Sequence, residues 1–273
     1  MTAQEIAALV TDPGESRDIQ LIQTEYRTQV RDAWEPLNGL NILEVGCGQG
    51  DMTAVLADAV GPSGHVTAVD SAPATYGAPM TLQQATERIK ATPLGKRIDF
   101  CFEFDILSQE PQPFDLAVLT HCSWYFQSRA QIRQVLKALT SWAPRLAFAE
   151  WDLGANHMDQ VPHLLAALIQ GQANSFDQNA SANIRTPFSH AELRTMLIES
   201  GWTETKWTAL DTSRLQDARW EIDLALNQTN PSEETPQKLK DLLEVQKALL
   251  QRISEEHKLR PMPAYAILAE RNR

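Results

Sequence analysis

Residues 41–51 read NILEVGCGQGD. The apolar run 41–47 has the length and composition of a buried strand, and glycines at alternate positions, Gly46, Gly48 and Gly50, follow it. Glycines there let the backbone turn tightly and come close to a ligand. A helical spacing begins at Asp51, so the amide N–H groups at its start face whatever the loop holds. Working outward, 51–60 reads as that helix, 61–64 (GPSG) as a turn and 65–70 (HVTAVD) as a second strand. A helix over 80–91 closes at Pro93 and Gly95. Strands follow at 98–105 (IDFCFEFD), 114–121 (FDLAVLTH) and 145–152 (RLAFAEWD), with a Pro-rich loop at 109–113 and a helix at 128–142.

Strand and helix thus alternate five times, the pattern of an α/β doubly wound, Rossmann-like parallel sheet. Right-handed crossovers place all strand carboxyl ends on one edge. The residues expected at that edge are 46–50, Asp70, Asp105, His121 and 150–152. Upstream, the first forty residues read as helical through Ile19, Ile22, Tyr26, Val30, Ala33 and Trp34, ending at Pro36 and Gly39. Downstream, helices are expected over 159–172 and 189–200, the latter with Ser189 and Glu192 as a capping box. Strands at 202–210 and 263–270 flank two helices, 214–227 and 232–258.

The chain has 273 residues, 43% hydrophobic and 22% charged, enough to bury a large core without disulfide or metal. Lys and Arg number 24 against 35 Asp and Glu, a net charge of −11, and no basic block appears, so no nucleic-acid partner is expected. No apolar run approaches the ~20 residues that span a bilayer, and no secretory signal opens the chain. Cys47, Cys101 and Cys122 form no metal spacing and read as reduced thiols of a cytoplasmic protein. Oligomeric state is left open.

Two nucleotide ligands use a glycine loop of this kind. Dinucleotide sites take GxGxxG; here the third glycine comes one residue early and Asp51 would repel a pyrophosphate at the helix start. S-adenosyl-L-methionine has no phosphate and meets no such objection. Asp70, twenty residues after Gly50, can accept both ribose hydroxyls. Asp105 can accept from an adenine amino group, with Ile106 packed on the ring. At these residues the chain resembles the class I S-adenosylmethionine-dependent methyltransferase family: EVGCGQGD stands as its first motif, VTAVD as its second, EFDI as its third and FDLAVLTH as its fourth. The resemblance covers about residues 41–152. It implies that S-adenosyl-L-methionine, leaving as S-adenosyl-L-homocysteine, lies against Glu44, Gly46, Cys47, Gly48 and Gly50, then Asp70, Ser71, Asp105, Ile106 and His121. It implies a seven-stranded, mostly parallel sheet with strand seven between strands five and six. The two helices between strands 202–210 and 263–270 depart from the family's short connection, so an insertion at about 212–260 and an N-terminal helical lid, 1–40, are expected around a domain of residues 41–273.

Methyl transfer from a sulfonium is an in-line displacement in which the protein aligns and desolvates the nucleophile. His121 can serve as general base, as cofactor wall or structurally; His157 is a second base candidate. Trp124, Tyr125 and Phe126 suggest a wall for a flat acceptor, Tyr125 within reach of its reacting atom, with Trp151 joining them and Tyr26 and Trp34 closing from the N-terminal helix. Tyr26, Trp124, Trp151 and His157 are therefore the expected substrate residues, and His121 and Tyr125 the expected catalytic ones. No metal is proposed, because the strand-four end carries His121 and Asp152 is followed by Leu153. The expected activity is methylation of an O or N atom of a small aromatic or polycyclic molecule, as in methyltransferases of specialised metabolism. Rival readings are a cofactor-binding protein that catalyses a cyclisation or rearrangement, a non-catalytic binding subunit, and a nicotinamide dehydrogenase.

Overall fold

The computed structural model describes residues 1–10, 16–78, 80–176 and 184–272. A seven-stranded sheet runs β1 (Asn41–Val45), β2 (His65–Val69), β3 (Ile98–Cys101), β4 (Leu116–Thr120), β5 (Arg145–Trp151), β6 (Trp202–Leu210) and β7 (Ala264–Arg271). Its spatial order is β3-β2-β1-β4-β5-β7-β6. All pairs are parallel except those of β7, which lies antiparallel between β5 and β6, as expected.

The period-two alternation of side chains divides the core between two faces. Ile42, Val66, Val118 and Ala147 pack on one side with α1 (Ala3–Val10), α2 (Arg17–Ala33) and α3 (Asp51–Val60). Leu43, Ala117, Leu119 and Leu146 pack on the other with α5 (Arg129–Leu139) and α7 (His190–Glu199). Strands buried on both faces must be apolar throughout, and β1, β2 and β4 are nearly so. α4 (Leu82–Lys90) and α7 start with complete capping boxes, Thr81 with Gln84 and Ser189 with Glu192. α3 starts at Gly50 with no side-chain cap, leaving its first amides free for the cavity. A third apolar cluster joins α6 (Val161–Ala173), α8 (Asp217–Asp223) and α9 (Gln237–Glu256) through Ala166, Ile169, Ile222, Leu243 and Leu250. The two helices between β6 and β7 therefore share an apolar cluster with α6.

Of the differences from the expected boundaries, three bear on the site. The N-terminal helix is two helices on either side of residues 11–15, which lie outside the described residues. Strand three stops at Cys101, not at Asp105, because Glu103 takes φ +52° and turns the chain. Strand four stops at Thr120, because His121 takes φ +48°.

Candidate active site

The carboxyl ends of β1, β2 and β4 open into a cavity of about 680 Å³, within the range of small-molecule sites. α2 and α8 contribute Tyr26, Arg27, Asp217 and Glu221 to its wall. α2 is tied to α8 and to the turn before it: Gln23 Nε2 donates to Asp217 at 2.9 Å, and Arg214 pairs with Glu25.

The glycine loop forms the floor. Gly46 has φ +78°, and a Cβ there would stand 2.6 Å from Cys122 Cβ, so this glycine permits contact between two loops. Gly48 has φ +52°, and a Cβ there would meet no protein atom within 4 Å. Its N–H donates to Asp70 Oδ2 at 2.9 Å, while Ala72 N–H donates to Oδ1 at 2.9 Å. A carboxylate has about four lone-pair sites, so Asp70 keeps capacity for a diol. Glu44 is 1% exposed, and Thr53 Oγ1 donates to its Oε2 at 2.5 Å. Its Oε1 is buried without a partner. Burial pushes this carboxyl up to about 8, the Thr53 hydrogen bond acting against it. Burial, then the charges of Glu44 and Asp70, pushes the Cys47 thiol up, which removes it as a nucleophile. Asp105 lies in the loop after β3, where its own carboxylate accepts from Leu107 N at 3.0 Å and Ser108 Oγ at 2.6 Å; Ile106 beside it is buried.

The other end gathers groups from α2, β4 and β5. His121 Nε2 lies 2.8 Å from Tyr26 Oη. His121 Nδ1 lies 3.3 Å from Glu150 Oε1, at an angle short of a hydrogen bond. Glu150 is 1% exposed and accepts from Ser123 Oγ at 2.5 Å, Ser123 N at 3.2 Å and Trp151 N at 3.0 Å. A left-handed conformation in a non-glycine residue costs roughly 1–3 kcal/mol, so the contacts around His121 hold a strained residue. Trp151 packs on His121 with ring centroids 5.1 Å apart and on His163 at the same distance. His163 is buried, which pushes its imidazole down to about 3; Met262 N–H donates to its Nδ1 at 2.9 Å, so the neutral ring carries its proton on Nε2.

Tyr125 lines the cavity and is 42% exposed. Desolvation, then the charges of Glu221, Glu150 and Asp217, pushes its phenol up. Asp217 and Glu221 stand four apart on α8 and make this wall acidic; Gln170 Nε2 donates to Glu221 at 2.6 Å. Burial pushes Glu221 up, against that hydrogen bond and with the charge of Asp217.

A methyltransferase-domain profile matches residues 42–143. The solved structure of a cyclopropane-fatty-acyl-phospholipid synthase-like protein from Lactobacillus casei ATCC 334 is 34% identical, covers 98% of each chain and superposes with a TM-score of 0.86. The chain belongs to the class I S-adenosylmethionine-dependent methyltransferase family. Methyltransferase phomM′ of Diaporthe leptostromiformis is 29% identical over 154 residues, 48% of this chain and 40% of that one, so the chain spans well under half the length of that curated relative. The [4+2]-cyclase SpnF, 15% identical with a TM-score of 0.54 over 96% of this chain and 84% of that one, shares the fold. The family's cofactor is S-adenosylmethionine, and the residues fit it. Glu44 Oε1 is an unpartnered carboxyl oxygen whose ionised, accepting form a bound ammonium group would favour, Asp70 retains acceptor capacity for a ribose, and Gly48 leaves open the space a side chain would fill.

Of the residues expected at the site, Glu44, Gly46, Cys47, Gly48, Asp70, Ser71, Asp105, Ile106, His121, Tyr125, Tyr26 and Trp151 all line the cavity. Gly50 stands behind the loop as the N-cap of α3. Trp124 does not line it: it is 1% exposed and packs edge-on against Phe188. Residues Ser123–Tyr125 form a three-residue turn, and at about three residues per turn successive side chains point in different directions. Tyr125 therefore reaches the cavity while Trp124 enters the core. Trp34 is likewise buried in the core. His157 is exposed and accepts from Asp159 N–H at 3.1 Å, capping a short turn away from the cavity. Asp217, Glu221 and Gln23 are cavity residues that the sequence reading passed over. The acids' four-residue spacing marks one helical face without showing what it faces.

Proposed function

We infer that the chain is an S-adenosylmethionine-dependent methyltransferase that transfers a methyl group to a small molecule with an aromatic or polycyclic frame, in the cytoplasm. The observation that carries this reading is one cavity holding both the glycine-loop cradle and the His121–Tyr26–Trp151 end, roofed by α2 and α8. No helix of the described residues is long and apolar enough to cross a membrane, and the three cysteines are free. When bound, the cofactor supplies an electrophilic methyl group. Asp70 takes the ribose hydroxyls, Asp105 and Ile106 the adenine, and Glu44 the amino group. Residues 1–40 act as a lid and the helices between β6 and β7 as a cap. Together they exclude water and hold the acceptor in line, an arrangement that in general contributes roughly 7–11 kcal/mol.

Calorimetric titration with S-adenosylmethionine and S-adenosylhomocysteine, with NADH as control, tests the cofactor site. A screen of aromatic acceptors by product mass tests the reaction. A gain of ~14 mass units is the outcome for methylation. A product of unchanged mass in the presence of cofactor would replace this reading with a cyclisation or rearrangement.

A further inference from the structure

We propose that Tyr26, His121 and Glu150 form a proton relay, and that the group methylated here is therefore one that gives up a proton to react, a hydroxyl or an alkylammonium. This rests on the methyl-transfer reading above and adds to it the acceptor's chemistry, a relay residue from the lid and a positioning residue from β5.

The argument begins with the proton on His121. Its Nδ1 is shut from solvent and faces Glu150 Oε1 at 3.3 Å. The pair is not aligned as a hydrogen bond, but a bare lone pair on Nδ1 would stand 3.3 Å from a carboxylate oxygen, whereas an N–H there is attracted to it, so Nδ1 carries the hydrogen. Nε2 is then the acceptor, and at 2.8 Å Tyr26 Oη donates its hydrogen to it. Glu150 is locked by three donors, Ser123 N, Ser123 Oγ and Trp151 N, and does not turn away. The groups acting on Tyr26 agree with this direction. Burial dominates and, with the charges of Asp217 on α8 and Glu150 on β5, keeps the phenol protonated; only Arg27 on its own helix acts the other way. Trp151 packs at a tilt on the imidazole, a quarter of which stays accessible, and the Tyr26 hydroxyl occupies Nε2, so a proton reaches Nε2 through Tyr26.

Such a chain has work to do only for an acceptor that must shed a proton as it reacts. A carboxylate arrives without one, whereas a hydroxyl has one to lose, and an alkylamine arrives as ammonium near pH 7 and must shed one before its nitrogen can attack. For a hydroxyl, the acceptor oxygen forms the bond to the methyl carbon as the carbon–sulfur bond breaks, its electron pair staying on sulfur. The hydroxyl proton passes to Tyr26 Oη as the phenol's own proton passes to His121 Nε2. The single positive charge moves from sulfur to the imidazole, beside the Glu150 carboxylate. That proton leaves to water after the product departs.

The test does not need the acceptor. Protein labelled with ¹⁵N-histidine and saturated with S-adenosylhomocysteine is examined by two-bond ¹⁵N–¹H correlation, with His121→Gln assigning the signal. The expected result is Nδ1–H with an unprotonated Nε2. Glu150→Gln shifts the proton toward Nε2, and Tyr26→Phe keeps the tautomer but moves the Nε2 resonance toward that of a nitrogen without a hydrogen bond. An Nε2–H form in the unaltered protein, or a tautomer indifferent to Glu150→Gln, would overturn the relay. A methyl-ester product in the mass screen, from an acceptor with no proton to give up, would overturn the acceptor class. Calorimetry on the same samples separates the two levels: no S-adenosylhomocysteine binding removes the methyltransferase reading itself, whereas binding with the wrong tautomer removes only the relay.

Discussion

Gly48 donates its backbone N–H to Asp70 at 2.9 Å, joining the loop after β1 to the turn after β2. The carboxylate proposed to take the ribose is thus also the clasp of the glycine loop. Loop shape and ligand affinity are therefore linked through one side chain.

Asp70→Ala is expected to weaken S-adenosylhomocysteine binding by roughly 1.5–3 kcal/mol, the scale of hydrogen bonds to a charged group. Asp70→Asn should lose less, because its carbonyl oxygen still accepts from Gly48. Titration calorimetry measures both, and affinities equal to the unaltered protein would remove Asp70 from the site.

Two alanine replacements in the same loop should behave oppositely. In Gly46→Ala the new Cβ would stand 2.6 Å from Cys122 Cβ at φ +78°, so thermal stability falls sharply. In Gly48→Ala the new Cβ meets no protein atom, and only the φ +52° strain, on the order of 1–2 kcal/mol, acts on stability. Cofactor affinity should drop further than that strain explains, because the methyl enters the ligand's space. Melting temperature and calorimetry together check the contrast, which fails if Gly48→Ala binds normally.

Stability should decline with rising pH because of Glu44. Its folded value is raised from 4.5 to about 8, so its contribution is full below pH 4.5 and is lost as pH rises toward 8. At about 1.4 kcal/mol per unit, the ceiling is roughly 4–5 kcal/mol. Glu44→Gln, which cannot ionise, should flatten this part of the urea-denaturation profile. An equal slope in both proteins would contradict the assignment.

His163 acts in the opposite window. Its folded value is lowered from 6.5 to about 3, so its contribution is present above pH 6.5 and is lost as pH falls toward 3. His163→Asn keeps an acceptor for Met262 N–H without the titration. It should show a shallower loss of stability on acidification, measured by denaturant midpoints between pH 7 and 4.

The parallel strands were legible in sequence because a parallel sheet buried on both faces demands short apolar runs, and each run here ends in a glycine or a polar residue. Asp70 needed no tertiary information: it directly follows β2. Asp105 was legible only as a cavity residue. Its strand was read four residues too long, because a positive φ at Glu103 leaves no mark in residue type. Trp124 and Tyr125 are adjacent and both aromatic, and only the short turn that holds them separates core from cavity.

The sequence by itself determined the alternation of strand and helix, the glycine loop and the carboxylates at strand ends, since each depends on periodicity or on residues near one another in the chain. Only the tertiary structure decided that Tyr26, His121 and Glu150 meet, and that Asp217 and Glu221 face the cavity. Tyr26 lies 95 residues from His121. Contact across that distance is set by how helices pack over a sheet, which local pattern does not encode.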